Sequence, residues 1–121
     1  MIFGIGIDIV ELSRIETMLS RQARFPQRIL TEAEYDRFKT LSNKRKIEFL
    51  AGRFAAKEAF SKAYGTGIGS QLSFQDIETA KGPSGKPVLA CAKLDGAAAH
   101  VSITHTKEYA AAQVVIERLS S

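Results

Sequence analysis

The chain has 121 residues, 45% of them hydrophobic and 25% charged, with one cysteine and a formal net charge of +4. Those figures fit one compact domain, residues 1–121, and exclude a disordered tail or an internal disulfide framework. The excess charge lies in the first half, where residues 1–64 hold 12 Lys and Arg against 8 Asp and Glu, whereas residues 65–121 hold 5 of each.

A chain of this length buries about two thirds of its unfolded surface, which leaves little spare stability and makes oligomerisation useful. No apolar run approaches the roughly 18 residues of a membrane span. Met1-Ile2-Phe3-Gly4-Ile5 has no basic residue before its apolar stretch and an acid follows at Asp8, unlike a secretory signal. Cys91, in the apolar run Val88-Leu89-Ala90-Cys91, reads as a reduced, buried thiol and points to the cytoplasm.

Residues 2–10 alternate Phe3, Ile5, Ile7 and Ile9 with Gly4, Gly6, Asp8 and Val10, which predicts a strand whose glycines leave space on the face of Asp8. Leu12, Ile15 and Leu19 predict a helix from about residue 13, capped by Ser13, to Pro26 or slightly before it. Thr31-Glu32-Ala33-Glu34 has the form of a capping box and starts a second helix that ends near Leu41. A third, longer helix is capped by Ser42 or Asn43, carries the stripe Ile47, Leu50, Ala51, Phe54, Ala55 and Ala59, and stops at Gly65.

Three glycines in residues 65–70 favour turns. Residues 74–81 and 86–92 then flank Gly82-Pro83-Ser84-Gly85 as a hairpin, and residues 101–106 and 109–117 form a second strand pair. The alanine-rich residues 94–99 read as a single helical turn. Helices early and strands late define an α+β domain with a mostly antiparallel sheet and a long central helix.

Asp8 in an apolar strand needs a cation, hydrogen-bond donors or a wet strand end. Glu58 and Lys62 are four apart on the third helix, the spacing of an ordinary surface ion pair. Small residues around Glu58 nevertheless let another element approach, and a strand packed there brings Asp8 and Glu58 together. Two carboxylates with open positions suit Mg²⁺, which takes oxygen ligands and shares them with phosphates. Zinc is disfavoured because Cys91, His100 and His105 lack its close ligand spacing. Arg53, Lys57 and Lys62 extend along the same helix and can hold a pyrophosphate, or form a solvated basic face.

Ser102 and His105 point to opposite faces of their strand, so they form no nucleophile pair. The glycine-rich stretch fits neither the Walker nor the dinucleotide pattern. Arg14, Met18, Arg21, Phe25 and Arg28 recur at steps of 4, 3, 4 and 3 on the first helix and its exit, a surface able to dock an acidic amphipathic helix. Trp is absent and no nucleic-acid recognition signature appears, so no nucleic-acid partner is expected.

Five ordered motifs now converge: Gly4-Ile5-Gly6-Ile7-Asp8-Ile9-Val10-Glu11-Leu12, the stretch Arg53 to Ala63 around Lys57-Glu58, Gly65-Thr66-Gly67-Ile68, Gly85-Lys86-Pro87, and Val101-Ser102-Ile103-Thr104-His105-Thr106. Across nearly its whole length the chain resembles the short-chain class of 4′-phosphopantetheinyl transferases, the bacterial holo-acyl-carrier-protein synthases. The resemblance implies that fold, and Mg²⁺-dependent transfer of 4′-phosphopantetheine from coenzyme A to a serine of apo-acyl carrier protein in fatty acid biosynthesis. It also implies a homotrimer with sites between subunits.

On the same footing Asp8 and Glu58 hold the metal and, with Lys62, form the catalytic set. Lys62, His105, Arg53, Arg45, Gly65, Lys86 and Pro87 meet coenzyme A, and Arg14, Met18, Arg21, Arg24, Phe25 and Arg28 meet the carrier protein. The serine proton goes to Glu58 through water or to an acid of the second helix such as Asp36. Many relatives carry Asn shortly before Gly-Lys-Pro, where this turn has Gly82-Pro83-Ser84.

Overall fold

The computed structural model describes residues 1–119. In chain order it contains β1 (Ile2–Glu11), α1 (Leu12–Arg21), α2 (Phe25–Ile29), α3 (Glu32–Lys39), α4 (Asn43–Tyr64), a 3₁₀ turn (Phe74–Asp76), β2 (Ile77–Lys81), β3 (Pro87–Cys91), β4 (Ala97–His105) and β5 (Tyr109–Arg118). Two antiparallel sheets result, one ordered β1-β5-β4 and the other a β2-β3 hairpin. This is the expected α+β arrangement, with α4 as the central helix.

The three-stranded sheet packs against α4 through small side chains. Ala110 and Ala112 of β5 and Ala51, Ala55, Ala59 and Ala63 of α4 are all buried. β1 comes closest: a Cβ added at Gly4 or Gly6 would collide with the backbone carbonyl of Ala63 or Ala59. Only glycine permits that approach, and alternation along the strand then turns Asp8 towards α4 as well. The opposite face of β1 is open, with Ile5 60%, Ile7 65% and Ile9 65% exposed.

The caps follow their residue chemistry. Thr31 and Glu34 close a capping box, with Thr31 Oγ1 accepting from the Glu34 amide at 3.3 Å and Glu34 Oε1 from the Thr31 amide at 2.8 Å. Ser42 caps α4, and Gly65 ends it at φ 106°, where other residues are strained.

Four expectations are corrected. The first hairpin strand begins at Ile77 rather than at residue 74, because Phe74–Asp76 form a 3₁₀ turn. The first helix begins at Leu12 rather than after a Ser13 cap, because the Leu12 amide donates to the Glu108 carbonyl at 2.8 Å. It also ends at Arg21: Gln22 is extended and the separate helix α2 begins at Phe25 with Pro26 in its first turn, so the basic surface spans two helices. Residues 97–99 are strand, not helical turn. Gly96 takes φ 63°, and Ala97, Ala98 and Ala99 then pair with Arg118, Glu117 and Ile116 of the long β5.

Candidate functional site

Asp8 and Glu58 meet where β1 crosses α4. Lys62 Nζ lies 3.1 Å from Asp8 Oδ1 and donates to the Ile7 carbonyl at 3.0 Å. Asp8 is 16% exposed at its side chain while Lys62 is 54% exposed, so the pair is open on the lysine side. Burial pushes the half-buried Glu58 carboxyl above the usual range, and the negative charge of Asp8 pushes it further, with Lys62 and Arg14 pulling it back. Two acids therefore repel one another in a partly desolvated corner.

A cation would relieve that repulsion. No group of three or more His, Cys, Asp or Glu converges anywhere among the described residues. A pair of carboxylates with no third protein ligand is a donor set that fits Mg²⁺ shared with phosphate oxygens and water, and it does not fit a closed zinc site.

A second feature lies on the other flank of α4. A cavity of about 670 Å³ is lined by Arg37, Lys44, Arg45, Arg53, Lys81 and His105, with one acid, Glu48. His105 also borders an adjoining cavity of about 830 Å³. Strand order explains the separation: Asp8 is in register with Ala112 of β5, whose other neighbour is Ile103 of β4, so β5 stands between Asp8 and the His105 strand. Asp8, Glu58 and Lys62 do not line the cationic cavity. Gly65 lies one turn beyond Lys62 at the end of α4, and Lys86 and Pro87 close the β2-β3 hairpin, where the Gly82 amide donates to the Lys86 carbonyl at 2.7 Å.

Lys57 does not join the basic face expected of it. Its ammonium is fully buried and donates to Glu34 Oε1 at 2.6 Å and to the Ile29 carbonyl at 2.8 Å. Burial alone would raise the Glu34 pKa, but Lys57 and the Thr79 and Thr31 amides outweigh it and hold the carboxyl below its ordinary range. Sequence reasoning missed this pair because Glu34 was already accounted for by the capping box. Arg37, Lys44 and Lys81 were missed as well; the run Lys44-Arg45-Lys46 was the available signal.

On the basic surface Arg14, Arg21, Arg24 and Arg28 are exposed and Met18 is half-buried. Phe25 is only 5% exposed, with its ring 6.4 Å from that of Phe54, so it belongs to the core. Asp36 is paired with Lys39 at 3.4 Å on the exposed side of α3.

Both the sequence and the fold are matched by known proteins. Residues 4–114 match the family model of the 4′-phosphopantetheinyl transferase superfamily, and the chain belongs to that superfamily. It is 87% identical over 120 residues to the holo-[acyl-carrier-protein] synthase of Bacillus velezensis, covering 99% of each chain. It is 72% identical to that of Bacillus subtilis over the full length of both. A holo-(acyl-carrier-protein) synthase crystal structure from Bacillus anthracis, in complex with CoA (3′,5′-ADP), superposes with a TM-score of 0.90 at 55% identity over 98% of each chain. The resemblance drawn from the five motifs holds.

Proposed function

We propose that the chain transfers the 4′-phosphopantetheine arm of coenzyme A to a serine of apo-acyl carrier protein, giving the holo-carrier protein of fatty acid biosynthesis and adenosine 3′,5′-bisphosphate. The observation that carries this reading is the 87% and 72% identity to two Bacillus synthases across essentially the whole chain, joined to an acid pair and a cationic cavity that together suit a pyrophosphate. The serine oxygen bonds to the β-phosphorus, the bond to the bridging pyrophosphate oxygen breaks, and the electron pair leaves on the bisphosphate. Such a reaction needs positioning and charge neutralisation rather than a protein nucleophile.

Asp8 and Glu58 would hold Mg²⁺, which when bound supplies neutralising charge to the pyrophosphate. Lys62 reaches the same phosphates from the open side of Asp8. Arg45, Arg53 and His105 bind the remaining anionic groups in the cavity, and Gly65, Lys86 and Pro87 border the nucleotide. The serine proton passes to Glu58 through water or to Asp36, which pairs with Lys39 on the exposed side of α3. Arg14, Met18, Arg21, Arg24 and Arg28 receive the acidic carrier protein, with Phe25 supporting that surface from the core. A dock beside the acids is consistent with the charge of Arg14 acting on Glu58.

The acids and the cavity occupy opposite flanks of α4, and β1 carries an uncovered row of isoleucines. Both features support a homotrimer in which one subunit's acids meet another's cavity. A cytoplasmic location belongs to the same reading; among the described residues no helix is long and apolar enough to cross a membrane.

The test is to incubate the protein with apo-acyl carrier protein, coenzyme A and Mg²⁺ and to weigh the carrier. A gain of one phosphopantetheine is expected, and Asp8→Ala or excess chelator should reduce it by at least about a hundredfold with the fold intact by circular dichroism. An unmodified carrier overturns the transferase reading, and full turnover in chelator overturns the metal.

A further inference from the structure

Beneath the cationic cavity, α3, α4 and β2 converge on one buried carboxylate. Glu34 is 3% exposed and every lone-pair direction is used. Oε1 accepts from Lys57 Nζ at 2.6 Å and the Thr31 amide at 2.8 Å, and Oε2 from the Thr79 amide at 2.7 Å and the Thr79 hydroxyl at 2.9 Å. An ionised carboxylate can only accept, so the Thr79 hydroxyl must direct its proton at Glu34. Its own lone pair is then left for the Nε–H of Arg53, which donates to it at 3.1 Å.

The guanidinium is fixed a second time by Phe49, whose ring centroid lies 4.2 Å from Cζ. With Nε tied to Thr79 and one face on the ring, the terminal nitrogens remain, and Arg53 lines the cationic cavity. Among the described residues no carboxylate forms an ion pair with Arg53. Its compensating negative charge is Glu34, one hydroxyl away and already shared with Lys57, so an anion in the cavity meets a guanidinium with no direct counterion.

We propose that Thr79 and Glu34 are positioning residues for coenzyme A: Glu34 orients the Thr79 hydroxyl, which holds Arg53 Nε and so presents the terminal guanidinium nitrogens to a phosphate in the cavity. The proposal rests on the transferase reading above and extends it to two side chains that touch no ligand. An arginine fixed in this way offers its two-pronged donor edge without first losing rotamer freedom. Arg53 was already a phosphate candidate; the geometry adds what aims it.

The test uses the full chain and three substitutions. Thr79→Val keeps the side-chain shape and the backbone amide to Glu34 but removes the hydroxyl, Thr79→Ser restores it, and Arg53→Ala removes the group it aims. Coenzyme A affinity by calorimetry should weaken roughly tenfold in Thr79→Val, the scale of one hydrogen bond to a charged group. It should stay within about twofold of wild type in Thr79→Ser, and Thr79→Val should add nothing in the Arg53→Ala background. In the unliganded protein the Arg53 Nε–H nuclear magnetic resonance signal should be protected from exchange in wild type and Thr79→Ser and unprotected in Thr79→Val.

An affinity of Thr79→Val equal to wild type, the same loss with and without Arg53, or unchanged Nε–H protection would overturn the relay. Failure of the wild type to bind coenzyme A, with the protection pattern as expected, would instead overturn the assignment of the ligand.

Discussion

Lys57 and Glu34, an ammonium and a carboxylate with almost no access to water, tie α4 to α3. Removing one partner leaves the other charged in a medium that solvates it poorly, so Lys57→Met should lower unfolding free energy at neutral pH by about 3–5 kcal/mol, read by urea denaturation. The pH dependence gives a second readout. The folded pKa of Glu34 lies below its unfolded value, so its contribution is fully present above the unfolded pKa and is lost as pH falls through the folded one. In Lys57→Met the charged carboxylate is itself the liability, so the gap between variant and wild type should shrink as the pH is lowered. A gap independent of pH would show that Glu34 is not ionised in the folded protein.

At the level of elements the tightest joint is between β1 and α4. Gly6→Ala places a methyl group against the Ala59 carbonyl, and because both sides are backbone the expected loss is at least about 3 kcal/mol, measured as a fall in thermal midpoint. This joint was legible in the sequence: alternation put two glycines on the face of Asp8, and the alanines around Glu58 offered a matching surface. The break after Arg21 was not, because hydrophobic spacing carries through it and only the extended Gln22 shows where α1 stops. The alanines at 97–99 misled for a related reason, since a helix-forming composition yields to a neighbouring strand with backbone groups to pair. For the proposed carrier-protein dock, Arg21→Glu should raise the KM for carrier protein about three- to tenfold with little change for coenzyme A. Arg21 is a cleaner probe than Arg14, whose charge also acts on Glu58.

For the molecule as a whole, the exposed isoleucines of β1 should be covered by other copies of the chain. Ile7→Glu, at a position 65% exposed, leaves the single chain's packing intact. It should shift the mass measured by light scattering from three chains to one and remove transfer activity along with it. A wild-type mass of one chain would contradict shared sites. The types of residue at the candidate site are named by the motifs, but their division between two flanks of α4 is not. That division depends on β5 lying between β1 and β4, a property of strand order that no local pattern records.

The same strand order sets a schedule for synthesis. Among the described elements β5, the central strand, comes after all the others in chain order, whereas its neighbour β1 precedes them. Until Tyr109 to Arg118 emerge, β1 and β4 have no strand to pair with, and β1 waits with apolar side chains and both hydrogen-bonding edges uncovered. The long helix α4 can begin to form on local contacts in that interval, but the sheet closes only with the most non-local pairing in the chain, β1 with β5. Of the three strands in that sheet, β1, which carries Asp8, therefore waits longest for its partner.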